Sequence, residues 1–292
     1  MKFFHFPILA FAAIVFGSCC DTIVDPYKEG VAAAPTGQKV LLIDYSGYRC
    51  GNCPEGAAEA VRLKNIFLED LIVVTMHCGT QFAKPEPSKG FIEDFRTTTG
   101  EGLYDFLAIS SQPTGTVNFV KVDGNYTLPY TSWATAITKE LRKTPPMTIT
   151  VTPVLSADSV LTVKADIKYK KASTGNDRIA VYLIEDSIIY QQVDYSLLPD
   201  DDIVPEYLHR HLFRRAMSGG KLDGKYAPPT KSTVGAFGEP LPATVANAST
   251  SKTYSISFKG TNWNLKNCSV IVSVNDKITN NTLQVEEAHI ME

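Results

Sequence analysis

Residues 40–54 read Val40-Leu41-Leu42-Ile43-Asp44-Tyr45-Ser46-Gly47-Tyr48-Arg49-Cys50-Gly51-Asn52-Cys53-Pro54. The first six are apolar except for Asp44, the pattern of a strand buried on both faces. A short turn follows, then two cysteines two residues apart. A helical pattern opens at the second. A thiol at a helix N-terminus meets unpaired backbone N–H groups and the positive end of the helix dipole. Both favour the thiolate, and the neighbouring Arg49 adds to them. Cys50 is therefore the candidate nucleophile and Cys53 the candidate resolving partner. Two other readings stay open: a static disulfide, and half of a zinc site. Zinc usually takes a second ligand pair at tight spacing. Cys78, Cys268 and the five histidines supply no such pair. No metal and no cofactor are assigned.

Outward from this stretch, Ala57, Ala60, Val61, Ile66 and Phe67 mark a helix over 53–70, with Pro54 tolerated in its first turn. Residues 71–76 form a second buried strand. Strand, helix, strand predicts a parallel pair joined by a right-handed crossover. His77 and Cys78 end that second strand. Neighbouring parallel strands share one functional edge, so both are candidates to lie near Cys50. Residues 91–109 hold helical pieces interrupted near Gly100. Gln112-Pro113-Thr114-Gly115 leads into a strand over 116–122, and Asp123-Gly124 marks a hairpin turn. A last helix over 132–143 takes Ser132 as its N-cap, with Trp133, Ile137 and Leu141 on one stripe.

The N-terminus has a different character. Lys2 precedes a short apolar run to Gly17, followed by Ser18 and Cys19. The run is short for a membrane span and reads as an export signal over 1–18. Cys19 is the lipid-attachment candidate, ahead of Cys20; ordinary signal cleavage is the alternative. Outside the cytoplasm, disulfides are permitted. Residues 19–38 form a tether without a clear period.

Lys143-Thr144-Pro145-Pro146 marks a boundary between a first domain, 39–143, and a second, 144–292. In the second, alternating β-branched runs recur at 147–154, 160–169, 178–185, 188–193, 252–258, 267–275 and 282–289. About seven short strands predict an antiparallel sandwich of immunoglobulin or fibronectin type. A long insertion, 195–244, interrupts them. It carries His209 and His211, poor joint ligands if helical. The 292-residue chain is 44% hydrophobic and 20% charged, ordinary for globular protein, and its net charge of -3 without a basic block argues against nucleic acid.

The order strand, Cys-x-x-Cys-Pro, helix, strand, Pro-Thr step, hairpin and helix resembles the thioredoxin fold. The resemblance implies that Pro113 is cis and sits against the dithiol, that the backbone at Gln112 binds substrate chain, and that Asp44 is a buried acid managing protons at Cys53. Arg49 and Gly51-Asn52 depart from the family's usual residues, so a redox potential does not transfer. The lipoprotein start, Asp44-Tyr45-Ser46-Gly47, Met76-His77-Cys78-Gly79, Tyr207-Leu208-His209-Arg210-His211 and Leu283-Gln284-Val285-Glu286-Glu287-Ala288 together resemble outer-membrane-protein-28-related bacterial lipoproteins. That implies a thioredoxin-like domain paired with a β-sandwich, on the outer membrane, facing periplasm or cell surface.

Two functions follow. One is a tethered thiol–disulfide oxidoreductase acting on the thiols or disulfides of exported proteins. The other is a surface-binding, adhesion or envelope-assembly protein with a protein or glycan partner, in which the cysteines form a structural disulfide.

Overall fold

The computed structural model describes residues 37–197, 199, 202–219 and 231–291. The expected signal peptide, the lipid-attachment candidate Cys19 and residues 19–36 of the tether lie outside the described residues.

The chain opens with β1 (Val40–Ser46), α1 (Cys53–Phe67), β2 (Leu71–His77), α2 (Thr98–Phe106), β3 (Thr114–Val117) and α3 (Trp133–Leu141). It continues with β4 (Met147–Leu155), β5 (Val160–Tyr169), β6 (Asp177–Glu185), β7 (Ile188–Val193), β8 (Ile203–His209) and β9 (Leu212–Ala216). α4 (Val234–Phe237), β10 (Glu239–Pro240), β11 (Ser249–Ser257), β12 (Cys268–Asp276) and β13 (Thr282–His289) complete it.

β1 and β2 pair in parallel from Val40 opposite Leu71 to Ser46 opposite His77, with α1 as the crossover. β3 joins the other edge of β1 antiparallel, placing Gly115 opposite Asp44. α1 and α3 cover one face of this sheet. Leu63, Phe67, Trp133 and Ile137 pack there on Val40, Leu42, Leu71 and Val73. Burying each large apolar side chain contributes roughly 1.5–3 kcal/mol. The Trp133 indole N–H donates to the Leu128 carbonyl at 3.1 Å. At the start of α3 the Ser132 side chain makes no cap hydrogen bond. Ser132 lies in helical conformation, continuing a 3-10 turn (Tyr130–Ser132), rather than in the extended backbone of a capping residue. At the hairpin after β3, Asp123 and Gly124 both take positive φ, 50° and 85°, as a type I′ turn requires.

The main sheet runs β13-β12-β6-β9-β2-β1-β3, with β10 on β6. β9 pairs antiparallel with β6 and touches β2 in parallel at Leu212 and Thr75, where the Thr75 N–H donates to the His211 carbonyl at 2.8 Å. Strands from both sides of Pro145-Pro146 thus enter one sheet. A second sheet, β11-β5-β4, faces its β6–β12 part. Ile149, Val163 and Ile167 meet Val181, Val270 and Val272 between the two. β6 is buried along nearly its whole length because Ala180, Tyr182 and Ile184 face the opposite core. β4 is covered on one face only and alternates. The chain is therefore β-rich with mixed sheets.

The stretch read as an insertion, 195–244, supplies β8, β9, α4 and β10. His209 closes strand β8 and His211 occupies the turn before β9, so neither is helical. β7 and β8 form a separate antiparallel hairpin.

Candidate functional site

Ser46 ends β1, the backbone turns through Gly47 to Asn52, and α1 starts at Cys53 with Pro54 in its first turn. The turn is held by the Cys50 N–H donating to the Gly47 carbonyl at 3.0 Å and the Cys53 N–H to the Cys50 carbonyl at 3.1 Å. This places both sulfurs together, and Cys50 and Cys53 form a disulfide with α-carbons 5.3 Å apart. Each residue is 2% exposed.

Asp44 is wholly buried, on the strand face shared with Leu42 and Ser46. Among the described residues neither carboxylate oxygen has a hydrogen-bond partner. Burial pushes its carboxyl up to about 7. Its cross-strand neighbour Thr75 lines a cavity of about 420 Å³ together with Ser46, Cys53, His77, Tyr207 and His209. Burial, with the charge of Asp44 adding, pushes the Tyr207 hydroxyl up to about 12. The acid expected to serve Cys53 thus lies next to the cavity on which Cys53 opens.

The Gln112–Pro113 peptide is cis. Pro113 packs on α1: a β-carbon on Gly56 would fall 2.7 Å from the Pro113 Cβ. The Gln112 side-chain amide donates to the Ser46 carbonyl at 3.1 Å and the Cys78 carbonyl at 3.2 Å, tying together the ends of β1 and β2. Arg49 is engaged by the 81–86 stretch. Its guanidinium pairs with Glu86 and donates to the Gln81 carbonyl.

His77 and Cys78 occupy opposite faces of the sheet. His77 faces the cavity with Cys53, packed edge-on against His209 at 5.3 Å between ring centroids. Burial, helped by His209 and Arg214, drives its imidazole well below the usual range. Cys78 lies in the core on the other side, with the Gln112 amide 3.5 Å from its sulfur. Burial, with the charges of Glu101 and Asp44 adding, raises its thiol well above the usual range. A raised thiol pKa makes a poor nucleophile near neutral pH.

The β7–β8 hairpin contributes contacts that sequence reasoning missed. The Val193 N–H donates to the Tyr48 carbonyl at 2.8 Å, and the Tyr195 N–H to the Gly51 carbonyl at 2.9 Å. The buried Gln192 amide donates to the Cys50 carbonyl at 3.0 Å. The Tyr195 ring covers Gly51. Tyr48 anchors the hairpin, stacking on Phe91 at 5.2 Å and meeting Tyr190 edge-on at 5.6 Å. The sequence marks 188–193 as a strand and 195–244 as a long insertion, but neither signal points to the dithiol turn.

The family described as outer membrane protein Omp28 matches residues 101–292. The chain belongs to the Omp28 family. The match leaves out Cys50 and Cys53, which lie before residue 101. HBP35 of Porphyromonas gingivalis is similar in structure, with a TM-score of 0.60 at 18% identity, over 87% of this chain and 75% of that one. At that identity the likeness concerns the fold alone. Protein AGR_C_4864 from Agrobacterium tumefaciens aligns with a TM-score of 0.46 at 13% identity, over 87% of this chain and 96% of that one. A domain of the outer membrane lipoprotein Omp28 from Porphyromonas gingivalis aligns with a TM-score of 0.30 at 16% identity, over 51% of this chain and 90% of that one. A search of the curated proteins finds no match. Membership of the Omp28 family associates the chain with the outer membrane.

Proposed function

We propose that this Omp28-family protein carries out thiol–disulfide exchange on exported proteins, held at the outer membrane by a lipid on Cys19. The observation that carries the reading is Asp44, buried with no hydrogen-bond partner for its carboxylate among the described residues and paired across strands with Thr75 of the Cys53 cavity. An unpaired buried carboxyl is costly, and strongly perturbed acids concentrate at working sites. The parallel β1–β2 pair, the dithiol at the start of α1 and the packing of Pro113 on Gly56 of α1 support a thioredoxin-like module. The two facing sheets support an immunoglobulin-like second part.

In the reduced protein, the Cys50 thiolate attacks one sulfur of a client disulfide, and the other client sulfur leaves as a thiolate. The Asp44 carboxylate then takes the Cys53 proton through the cavity. The Cys53 thiolate attacks the Cys50 sulfur, forming Cys50–Cys53 and releasing the second client thiolate. The backbone at Gln112 holds the client chain.

Replacing Cys50 by Ser should abolish exchange with insulin disulfides, and Cys53→Ser should accumulate a mixed disulfide with client. Undiminished exchange by Cys50→Ser would refute the assignment. A second reading, a binding protein whose disulfide is structural, is favoured by one observation: both cysteines are almost fully covered. The reduction potential separates the two. A value near those of exchange enzymes, about -120 to -270 mV, supports exchange, and one below about -300 mV supports a structural bond.

A further inference from the structure

The carbonyls of Tyr48, Cys50 and Gly51 surround the dithiol, and all three accept hydrogen bonds from the chain's own β7–β8 hairpin. Two come from backbone donors two residues apart, Val193 at the end of β7 and Tyr195 at the start of the 3-10 turn that follows (Tyr195–Leu197), and the third from the side chain of Gln192 within β7. The Tyr195 ring lies across Gly51, and Cys50 beneath is 2% exposed. This is how an extended polypeptide would bind beside Cys50: backbone N–H groups to the loop carbonyls, one aromatic ring over the glycine.

We infer that the β7–β8 hairpin is an internal occupant of the client groove, and that the dithiol becomes reachable only when residues 192–195 lift away. The inference deepens the exchange function proposed above by naming how a client enters, as an extended segment that replaces Val193 and Tyr195 on the same carbonyls. The motion is local to residues 192–195. Tyr190 of the same hairpin stays seated against Tyr48 and Phe95, the hairpin forms its own two-stranded sheet, and Tyr195 and Leu197 remain 46% and 42% exposed.

The test is reduction of the Cys50–Cys53 bond in the whole mature chain by increasing concentrations of a reduced thioredoxin. Each event moves two electrons and two protons, the thioredoxin dithiol closing to a disulfide as Cys50 and Cys53 become thiols. In the native protein the rate should level off at a ceiling set by hairpin opening. Amide exchange of Val193 and Tyr195 should report opening at that same rate. Gln192→Ala should raise the ceiling about five- to tenfold, the factor expected for one net hydrogen bond, and Tyr195→Ala, which keeps the backbone N–H but takes the ring off Gly51, should raise it as well. A rate that stays linear with one slope in all three proteins overturns the inference. Should either variant fail to fold, the native protein decides. Val193 and Tyr195 amides that exchange only as slowly as those of β6, while reduction proceeds faster, also overturn it. A ceiling in a protein that catalyses no exchange would retain the gate and remove the proposed function.

Discussion

A methyl group on the α-carbon of Gly51 would fall 2.2 Å from the Cδ1 of Tyr195, inside the ring rather than at its tip. The contact leaves no room for a side chain between the two cysteines while the hairpin is seated. Gly51→Ala should therefore push the hairpin off the loop. The expected result is loss of amide protection at Val193 and Tyr195 with protection in β6 unchanged, read by hydrogen exchange.

Asp44 predicts a pH dependence of stability. Its carboxyl sits at about 7 in the folded chain against 3.8 for the free group, so the native state holds a proton that the unfolded state releases. Stability falls as pH rises through that window, and the loss is complete above about pH 7, up to about 4 kcal/mol. Asp44→Asn removes the titration. Urea unfolding at pH 5 and pH 8 should show the variant gaining on the native protein at the higher pH. Equal differences at both pH values would contradict the burial argument.

His209 acts in the opposite direction. Burial holds its imidazole at about 4, below the 6.5 of the free group, with hydrogen bonds from the ring to the backbone carbonyls of Gln191 and Tyr190 partly opposing. The unfolded state therefore binds the extra proton between those values. Stability is lost as pH falls from 6.5 to 4, by about 3 kcal/mol. His209→Phe, which keeps a ring against Phe95 and His77, should flatten that limb of a stability–pH profile.

Asn118 joins three elements. Its side-chain oxygen accepts the Leu41 N–H of β1 at 2.8 Å, its amide reaches Glu140 of α3 at 3.3 Å, and its carbonyl accepts the Thr282 N–H of β13 at 2.8 Å. It does so at φ 49°, a region asparagine tolerates better than alanine. Asn118→Ala strands a buried N–H and strains the backbone. It should cost about 2–3 kcal/mol, measured as a lower urea midpoint with an unchanged slope.

What was legible in the sequence was what local periodicity encodes. The apolar run before Asp44, the cysteine pair opening α1, the Asp123-Gly124 turn and the alternation of β4 and β5 each carry their signal within a few residues. β8 and β9 were missed because Glu206, His209, Arg210, His211, Arg214 and Arg215 break the alternation. Their demands are met at a distance: Arg214 pairs with Glu185 at 2.8 Å, and His211 with Asp186 at 3.3 Å. Of the candidate site, Cys50 and Cys53 were readable from their spacing at the opening of α1, whereas Asp44 and Pro113 were singled out only through the resemblance to thioredoxins. Tyr195 and Gln192 were not, since nothing in their own neighbourhood specifies a partner some 140 residues upstream. Arg49 was readable as a charge, but its pairing with Glu86 depends on how the 80–86 loop folds back.

The shared sheet has a consequence for truncation. Removing everything after residue 143 would take away β9, which meets β2 at Thr75, and the 207–211 segment that shares its cavity, leaving the edge of Leu71–His77, a strand without acidic or lysine side chains, uncovered. Such an edge recruits other chains and aggregates. The Omp28 match itself begins at residue 101, within α2. The dithiol-bearing half expressed alone should therefore aggregate more readily than the whole chain, unless another strand covers β2.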